Sequence, residues 1–502
     1  MARRDVGGAL ALAAALAAAG CWSSGPTAGL DAGADADTDA DTDTDTDSDT
    51  DSDTDSDTDA DADADADGGA DAGMTGWLVV NGVESSAPSL EDMATLDDGS
   101  FLLDLDLDGQ AQCGNEFWRW ADDGSSSWSY GSYWCHTEMR IAARGSEYVM
   151  AMVGGYIEDG RSIGLYGADG APSWTADLAD GVWLIRAVAA LADGSVVLVG
   201  FVNADVVFGA GTDAETAIPH DACGGEYDGF VARWLEDGTF SWAVPFCARS
   251  AAGEIAALSG GSFVVTGAFE ETATFGNGTA EETELAKAGP DAAVGYYLAR
   301  YAATGALEWA EAIPAATSGL EVLEDDSFVA SGAVDGATSF ATSEGTVSVD
   351  TTAGGAYLAR WNSFGALVWV RALSCEGGGA CRGTLSTPDA TAEGGLFVTC
   401  TYDGAVRFGA GDAADAVLTS ESLSSLGAAT YSADGDLLDL WRWSAGWTQA
   451  SALRAFALDG GGFVTAVAFD WTDPSGVTND FAGPADFDLL DDGDVLIAGV
   501  FP

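Results

Sequence analysis

Three aspartates in the segment LDLDLDG have the type and spacing of metal ligands. Asp104, Asp106 and Asp108 are followed by Gly109, which matches the opening of a calcium-binding loop. The twelfth position of such a loop holds Asn115 instead of the usual glutamate, and the alternating leucines are typical of a β-strand. Two interpretations therefore stay open, a calcium site and the solvated face of a strand.

The spacing of the cysteines predicts disulfide bonds. Cys113 and Cys135 flank one predicted β-hairpin, and Cys223 and Cys247 flank the corresponding hairpin of a later repeat. The two ends of an antiparallel hairpin lie side by side, so the members of each pair come within bridging distance. We predict the disulfides Cys113–Cys135 and Cys223–Cys247.

Three further cysteines fit this scheme less completely. Cys375 has the downstream position of a third hairpin but no upstream partner, and Cys381 in the loop CEGGGAC is its expected mate. Cys400, inside FVTCTY, is then a buried free thiol. A cysteine metal site is the competing interpretation, and it is disfavoured because the sequence has no C-x-x-C pair and no histidine cluster.

Catalytic motifs find little support in the sequence. Its two histidines, His136 and His220, lie far apart and outside any nucleophile motif, and neither a phosphate-binding loop nor an HExxH helix occurs. An acid/base pair of the glycosidase type has many candidates among the 82 acidic residues, but no motif locates it. No catalytic residue is therefore assigned.

The elements that must position these residues come from one phrase that repeats along the chain. Its first half is an apolar run, a turn with Gly or Asp and a second apolar run, as in EIAALSGGSFVVTGAF, and it predicts a β-hairpin. Eight copies begin at Met93, Met139, Ala187, Glu254, Leu320, Ala390, Leu453 and Phe487.

The second half of the phrase has a fixed aromatic spacing. An aromatic residue precedes a glycine by four positions and a tryptophan follows it by four, as in Trp234, Gly238 and Trp242. The other copies hold Trp120 with Trp128, Tyr166 with Trp174, Tyr301 with Trp309, and Trp361 with Trp369. A sixth copy keeps Gly435 but has its tryptophan later, at Trp441. Recurrence assigns these rings to packing between repeats and not to ligand stacking.

Joined in order, the two halves give four-stranded units of the size of a propeller blade. Units begin near Asp92, Met139, Ala187, Glu254, Gly319, Asp389 and Ala452. The fold class is therefore an all-β β-propeller with seven blades, and eight blades stay open because eight first-half hairpins exist. A strand around 77–80 is a candidate to close the ring against the last blade. A pair of β-sandwiches is disfavoured, since sandwiches do not repeat one aromatic spacing.

Several repeat phrases also resemble a known group of proteins. TGAFEETATFG, GGEYDGFVARWLEDGTFSW and TAGGAYLARWNSFGALVW are similar to the β-propeller repeats of bacterial cell-surface lipoproteins, notably those of myxobacteria. The resemblance covers about residues 90 to 500. It implies an exported, surface-associated propeller, and it brings no assigned activity with it.

The N-terminus predicts export. Residues 1–20 combine Arg3 and Arg4 with an apolar run that is too short to span a bilayer, as in a signal peptide. The run ends before Cys21, which resembles the lipid-modified cysteine of bacterial lipoproteins; an ordinary secretory signal with an incidental cysteine is the alternative. We expect a lipid anchor at the outer membrane or cell surface.

Residues 21–75 predict a disordered stalk. From Asp31 to about Gly73, aspartate alternates with Thr, Ser or Ala, so the chain repels itself and has no apolar side chains to bury. Many weak calcium contacts are the alternative role. The propeller is assigned to 76–502. The net charge of -65 disfavours nucleic-acid partners.

These features favour a non-catalytic, monomeric surface lipoprotein whose propeller binds a protein or glycan partner or serves as a scaffold. No cofactor is assigned, with calcium left possible. The alternative is an extracellular propeller enzyme that acts on polysaccharide.

Overall fold

A computed structural model describes most of the repeat region. The described residues are 75–82, 89–106, 115–121, 126–132, 138–153, 161–220, 228–248, 252–288, 292–342, 345–375, 382–391, 394–409, 415–420, 424–447, 449–457, 463–470 and 494–501. The predicted signal peptide, Cys21 and almost all of the predicted stalk lie outside them. Within the described residues no helix is long and apolar enough to cross a membrane.

The described elements are β-strands, as the composition predicts. The first strands in the chain are β1 (Thr75–Gly82), β2 (Ser89–Thr95), β3 (Phe101–Asp106), β4 (Asn115–Trp120), β5 (Ser126–Ser132), β6 (Glu138–Arg144), β7 (Glu147–Val153), β8 (Arg161–Gly167), β9 (Pro172–Asp177), β10 (Val182–Ala190), β11 (Val196–Val202), β12 (Val206–Phe208), β13 (Thr216–Ile218), β14 (Asp228–Trp234), β15 (Phe240–Ala248), β16 (Ala252–Ala257) and β17 (Phe263–Phe269).

The later strands are β18 (Thr272–Phe275), β19 (Thr283–Ala286), β20 (Gly295–Tyr301), β21 (Leu307–Ile313), β22 (Gly319–Val322), β23 (Phe328–Thr342), β24 (Gly345–Trp361), β25 (Leu367–Cys375), β26 (Arg382–Leu385), β27 (Asp389–Ala390), β28 (Leu396–Asp403), β29 (Ala405–Phe408), β30 (Ala416–Thr419), β31 (Ser424–Tyr431), β32 (Leu437–Trp447), β33 (Gln449–Ala457), β34 (Phe463–Asp470) and β35 (Asp494–Phe501).

The strands form a β-propeller. Six blades each use one contiguous stretch of chain, with antiparallel strands in chain order from the inside outward, four in blades 1 to 5 and five in blade 6. They are blade 1 (β2, β3, β4, β5), blade 2 (β6 to β9), blade 3 (β10, β11, β14, β15), blade 4 (β16, β17, β20, β21), blade 5 (β22 to β25) and blade 6 (β26 with β27, then β28, β31, β32). The first strands of neighbouring blades touch one another, so they surround the axis.

The blade count corrects the sequence prediction. The structure has six blades built from contiguous repeats, where seven or eight were expected. The stretch from Ala452 onward, expected to form a separate blade, instead shares a composite sheet with the N-terminal strand, in the order β1, β35, β34, β33. We call it the closing sheet. In it β1 pairs with β35, with Val79 opposite Ile497, which confirms the candidate closing strand.

The core lies between blades. Blade strands are covered on both faces, so their sequences are apolar at consecutive positions, and all seven residues of β11 are buried. One apolar cluster joins blades 3 and 4 through Val199, Phe246, Phe263 and Tyr297. Each blade is therefore stable only against its neighbours.

The repeated glycine and tryptophan meet at four interfaces between neighbouring blades, which we call seams. Trp369 of blade 5 packs on Gly435 of blade 6, and Trp242 of blade 3 packs on Gly305 of blade 4. Gly435 has φ +81°, and a Cβ there would come within 2.7 Å of the Trp369 ring. The same contact joins Trp174 to Gly238 and Trp309 to Gly365. The prediction that this spacing serves inter-blade packing is confirmed for these four pairs.

Hairpins inserted between the second and third strands were not predicted. Each buries one phenylalanine, namely Phe208, Phe275, Phe340 and Phe408. Phe275 lies with its ring centroid 4.7 Å from that of Tyr297, and Phe340 lies 5.1 Å from Tyr357. Two of these hairpins extend the preceding blade, since β18 pairs with β15 and β29 pairs with β25.

Candidate functional site

The strongest departure from the repeat lies at the axis. The penultimate residue of the first strand is alanine in blades 1 to 4, and Ala94, Ala189 and Ala256 are buried there. In blades 5 and 6 the same position holds Glu321 and Asp389. Two adjacent blades thus bring two carboxyl groups to one place beside the axis. We call Glu321 and Asp389 the axial pair.

The environment of Glu321 favours its protonated form. Glu321 keeps some contact with solvent, but protein atoms surround it. Burial raises the pKa of its carboxyl group well above the usual range, and the nearby Asp389 carboxylate raises it further. Like charges this close do not both ionise readily, so the pair holds a proton at a pH where exposed carboxyl groups have none.

Close packing between blades 5 and 6 positions the axial pair. A Cβ at Gly319, two residues before Glu321, would overlap the Cα atom of Thr387, two residues before Asp389. Glycine therefore lets β22 approach the segment that leads into β27. The hydroxyl of buried Ser331 donates to the backbone oxygen of Ser386 at 2.7 Å, which ties the two blades together.

Charged residues continue around the axis on the first strands of other blades. Glu254 lies on β16, Arg186 on β10 and Arg140 on β6. The Nε of Arg140 donates to the backbone oxygen of Arg186 at 2.9 Å, so these two strands are also tied by a polar contact. The first strands of blades 2 to 4 therefore carry charged residues of both signs.

A second polar arrangement recurs in the turns and is structural. In blade 5, Asp325 accepts from Arg360 at 2.7 Å, and the same guanidinium donates to Ser327 and to the backbone oxygen of Ala433 in blade 6. In blade 3, Arg233 makes the equivalent contacts with Asp193, Ser195 and Ala303. Hydrogen bonds from Ser327 and the charge of Arg360 hold the pKa of Asp325 below its usual range, although partial burial opposes them.

The sequence-predicted calcium ligands are only partly described. Asp104 is buried in β3, opposite Phe117 of β4, and Asp106 ends the same strand. Asp108 lies outside the described residues. Among the residues that are described, no group of three or more His, Cys, Asp or Glu could hold a metal ion. A calcium site at Asp104, Asp106 and Asp108 stays a prediction.

The cysteines are also only partly described. Cys247 lies near the end of β15 and is disulfide-bonded, and Cys400 is a buried free thiol. Cys375 ends β25. The other cysteines of the predicted pairs lie outside the described residues; they are Cys113, Cys135, Cys223 and Cys381. The predicted pairings therefore stay predictions, and burial raises the pKa of the Cys400 thiol to about 12.

One of the two histidines lies among the described residues. His220 follows β13, where its backbone nitrogen donates to Asp205 at 3.0 Å. His136 lies outside the described residues.

Sequence reasoning missed the axial pair. The signal was present, since aligning the first-half phrases places Glu321 and Asp389 against alanines. It was hidden because 82 acidic residues make any single carboxylate unremarkable.

Comparisons with known proteins assign no family to this chain. No family model matches the chain, and no curated protein matches it. Among solved structures, a europium-containing methanol dehydrogenase is similar at 10% identity and a TM-score of 0.34, over 84% of this chain and 93% of that one.

Two neuraminidase-like proteins are similar as well. That of A/flat-faced bat/Peru shares 8% identity at a TM-score of 0.34, over 85% of this chain and 93% of that one. That of A/little yellow-shouldered bat/Guatemala shares 8% at a TM-score of 0.32, over 85% and 97%. Likenesses this distant carry no argument about activity.

Proposed function

We propose that this chain is a non-catalytic, surface-exposed lipoprotein whose propeller binds a glycan or protein partner through the axial face of blades 5 and 6. One observation carries the proposal: these two adjacent blades replace the alanine of the repeat with Glu321 and Asp389. A carboxyl pair with one proton both donates and accepts hydrogen bonds, as the hydroxyl groups of a glycan require.

The rest of the repeat supports this assignment. The repeated tryptophans Trp174, Trp242, Trp309 and Trp369 are engaged between blades, as Trp369 is against Gly435. Residues common to the copies hold the ring, so recognition falls to residues that the copies do not share. The closing sheet joins the two end blades, since its strand β33 contacts β2 of blade 1 and β28 of blade 6.

Export and anchoring belong to the same proposal. The lipoprotein-type N-terminus with Cys21 and the aspartate-rich stalk support a propeller held away from a membrane surface. Metabolic labelling with a palmitate analogue in a bacterial host tests it. Wild-type protein is expected to incorporate the label and Cys21→Ala to lose it; equal labelling would contradict the anchor.

An extracellular enzyme that acts on polysaccharide is the second candidate. The raised pKa of Glu321 favours it, because a carboxyl group with a raised pKa can serve as a general acid. Binding and catalysis are separable by experiment.

The test compares wild type with the double variant Glu321→Ala/Asp389→Ala, which restores the alanine found in the other blades. We expect wild type to bind members of a glycan array without turnover and the double variant to lose that binding. Glu311→Gln, which alters a carboxyl group on the outer strand of blade 4, is the matched control and should bind normally. Reproducible polysaccharide cleavage that the double variant lacks would establish the enzyme instead.

A further inference from the structure

Among the described strands, none pairs with the inserted hairpin of blade 5 from outside its own blade, whereas the hairpins of blades 4 and 6 each pair with a strand of the preceding blade. The hairpin of blade 5 comprises the ends of β23 and β24, which pair from Gly336 opposite Thr351 to Thr342 opposite Gly345. In blades 4 and 6 the first strand of the hairpin, β18 or β29, pairs with the fourth strand of the preceding blade. The equivalent strand for blade 5 is β21, which pairs only with β20.

The sequence of blade 4 explains why β21 does not accept the hairpin. The receiving strands β15 and β25 have nine residues each, and β18 and β29 pair with their last two. By contrast, β21 has seven residues and is followed at once by Pro314. Proline has no N–H to donate and ends a strand ladder. The hairpin of blade 5 therefore keeps an open edge.

The open edge has the composition of a strand-pairing surface. Residues 337 to 342 read ATSFAT, without charge and without proline, and the register shift of β23 lies before them, between Val334 and Gly336. Exposed edges that avoid pairing normally carry lysine, proline or a bulge. Ala337, Ser339 and Ala341 are exposed, and Phe340 is buried against Tyr357, so the strand is held rigidly. In a hairpin with a two-residue loop, these three exposed residues form the pairs whose backbone groups point away from β24.

We propose that the β23 edge from Ala337 to Ala341 binds an extended peptide segment of a partner protein by strand addition. An extended segment fits this edge because β18 and β29 each add a strand to the edge of a neighbouring blade within the same molecule. The net charge of -65 opposes a second copy and attracts a basic segment. This surface is separate from the axial pair, and the inference does not rest on the proposed axial ligand.

The probe is a fluorescein-labelled ten-residue peptide that contains the β29 sequence AVRF flanked by lysines, with full-length protein titrated against it and anisotropy measured. Ser339 and Ser348 face each other in the hairpin, with their hydroxyl oxygens 3.3 Å apart. Ser339→Pro removes a donor from the open β23 edge, whereas Ser348→Pro makes the matched change on β24. Unchanged circular dichroism confirms that both variants fold.

We expect wild type and Ser348→Pro to bind the peptide and Ser339→Pro to bind at least tenfold more weakly. No binding by wild type, or equal loss in the two variants, would overturn the proposal. A wild-type dimer in light scattering that Ser339→Pro abolishes would show that a second copy occupies the edge, which also overturns it. The glycan-array result with the axial double variant is independent of every one of these outcomes.

Discussion

The seams on the two sides of blade 5 share one geometry and differ in their polar contacts. Between blades 5 and 6, the Nε1 of Trp369 donates to Ala433 at 2.9 Å, and the Nε of Arg371 donates to Gly435 at 2.7 Å. Between blades 4 and 5, the tryptophan also packs on its glycine, but the Nε1 of Trp309 has no hydrogen-bond partner among the described residues.

The residue two positions after the tryptophan accounts for much of this difference. It is Arg371 in one seam and Glu311 in the other. Arg371 reaches backbone oxygens of blade 6 and lies over the Trp369 ring, 5.6 Å from its centroid. Burial raises the pKa of Glu311 to about 7. The shared spacing therefore fixes where blades meet, while residues that the repeats do not share determine the polar contacts between them.

The largest expected effect comes from adding a Cβ at the seam glycines. Gly435→Ala combines φ +81° with a contact of 2.7 Å to Trp369, and Gly365→Ala combines φ +86° with 3.3 Å to Trp309. We expect Gly435→Ala to lower the free energy of unfolding by about 2–4 kcal/mol and Gly365→Ala by about 1–2 kcal/mol. Denaturant unfolding measures both. Equal losses of unfolding free energy in the two variants would contradict the expected difference between the two seams.

Removing the arginine should loosen the stronger seam. Arg371→Ala leaves the Gly435 oxygen without its charged donor and uncovers the Trp369 ring. We expect a loss of about 1–3 kcal/mol in denaturant unfolding. A matched change at Arg407, whose salt bridge to Asp415 is exposed, should cost less than about 1 kcal/mol. A larger loss at Arg407 than at Arg371 would contradict this account of the seam.

Glu311 makes the weaker seam sensitive to pH. Its pKa is about 7 in the folded chain against a model-peptide value of 4.5, so the folded state binds the proton more tightly than the unfolded state. Stability is therefore lost as pH rises from about 4.5 to about 7 and is constant above that. Glu311→Gln should remove this loss. We expect the gain in free energy of unfolding of the variant over wild type to be larger at pH 8 than at pH 5 by about 1 kcal/mol, a figure already reduced for solvent screening. Melting temperatures at both pH values test it, and a pH-independent difference would contradict it.

The smallest effect on stability is expected at the axial pair. Glu321→Ala/Asp389→Ala replaces two crowded carboxyl groups with the side chain of the other blades. Exchange of partly buried charges for apolar groups is often neutral or stabilising. We expect the melting temperature at pH 7 to be unchanged or higher. A large loss of stability would show that the pair holds blades 5 and 6 together.

The sequence was sufficient to predict the features that repetition makes visible. The spacing of Trp242 and Gly238 recurs, so the strands, the turns and the packing role of the rings followed from it. The six contiguous blades did not follow, because β33, β34 and β35 form one sheet with β1. The strand around 77–80 was a candidate to pair with the last repeat, but no local pattern shows that this pairing replaces a separate blade.

The inserted hairpins and the axial pair escaped prediction for a different reason. In the sequence, Phe340 and Phe275 look like ordinary strand residues. They anchor their hairpins by packing against tyrosines of a later strand, Phe340 on Tyr357 and Phe275 on Tyr297. Glu321 and Asp389 are separated by 68 positions, and only the ring brings them together. Such sites are formed by tertiary contacts that no single window of sequence contains.

The central claim is that shared residues build the ring and that the two unshared carboxyl groups make its binding site. The most direct measurement is the glycan-array profile of Glu321→Ala/Asp389→Ala beside wild type at pH 7, with melting temperatures recorded for both. The account predicts at least a tenfold loss of glycan binding at an unchanged or higher melting temperature. Undiminished binding by the double variant would contradict it.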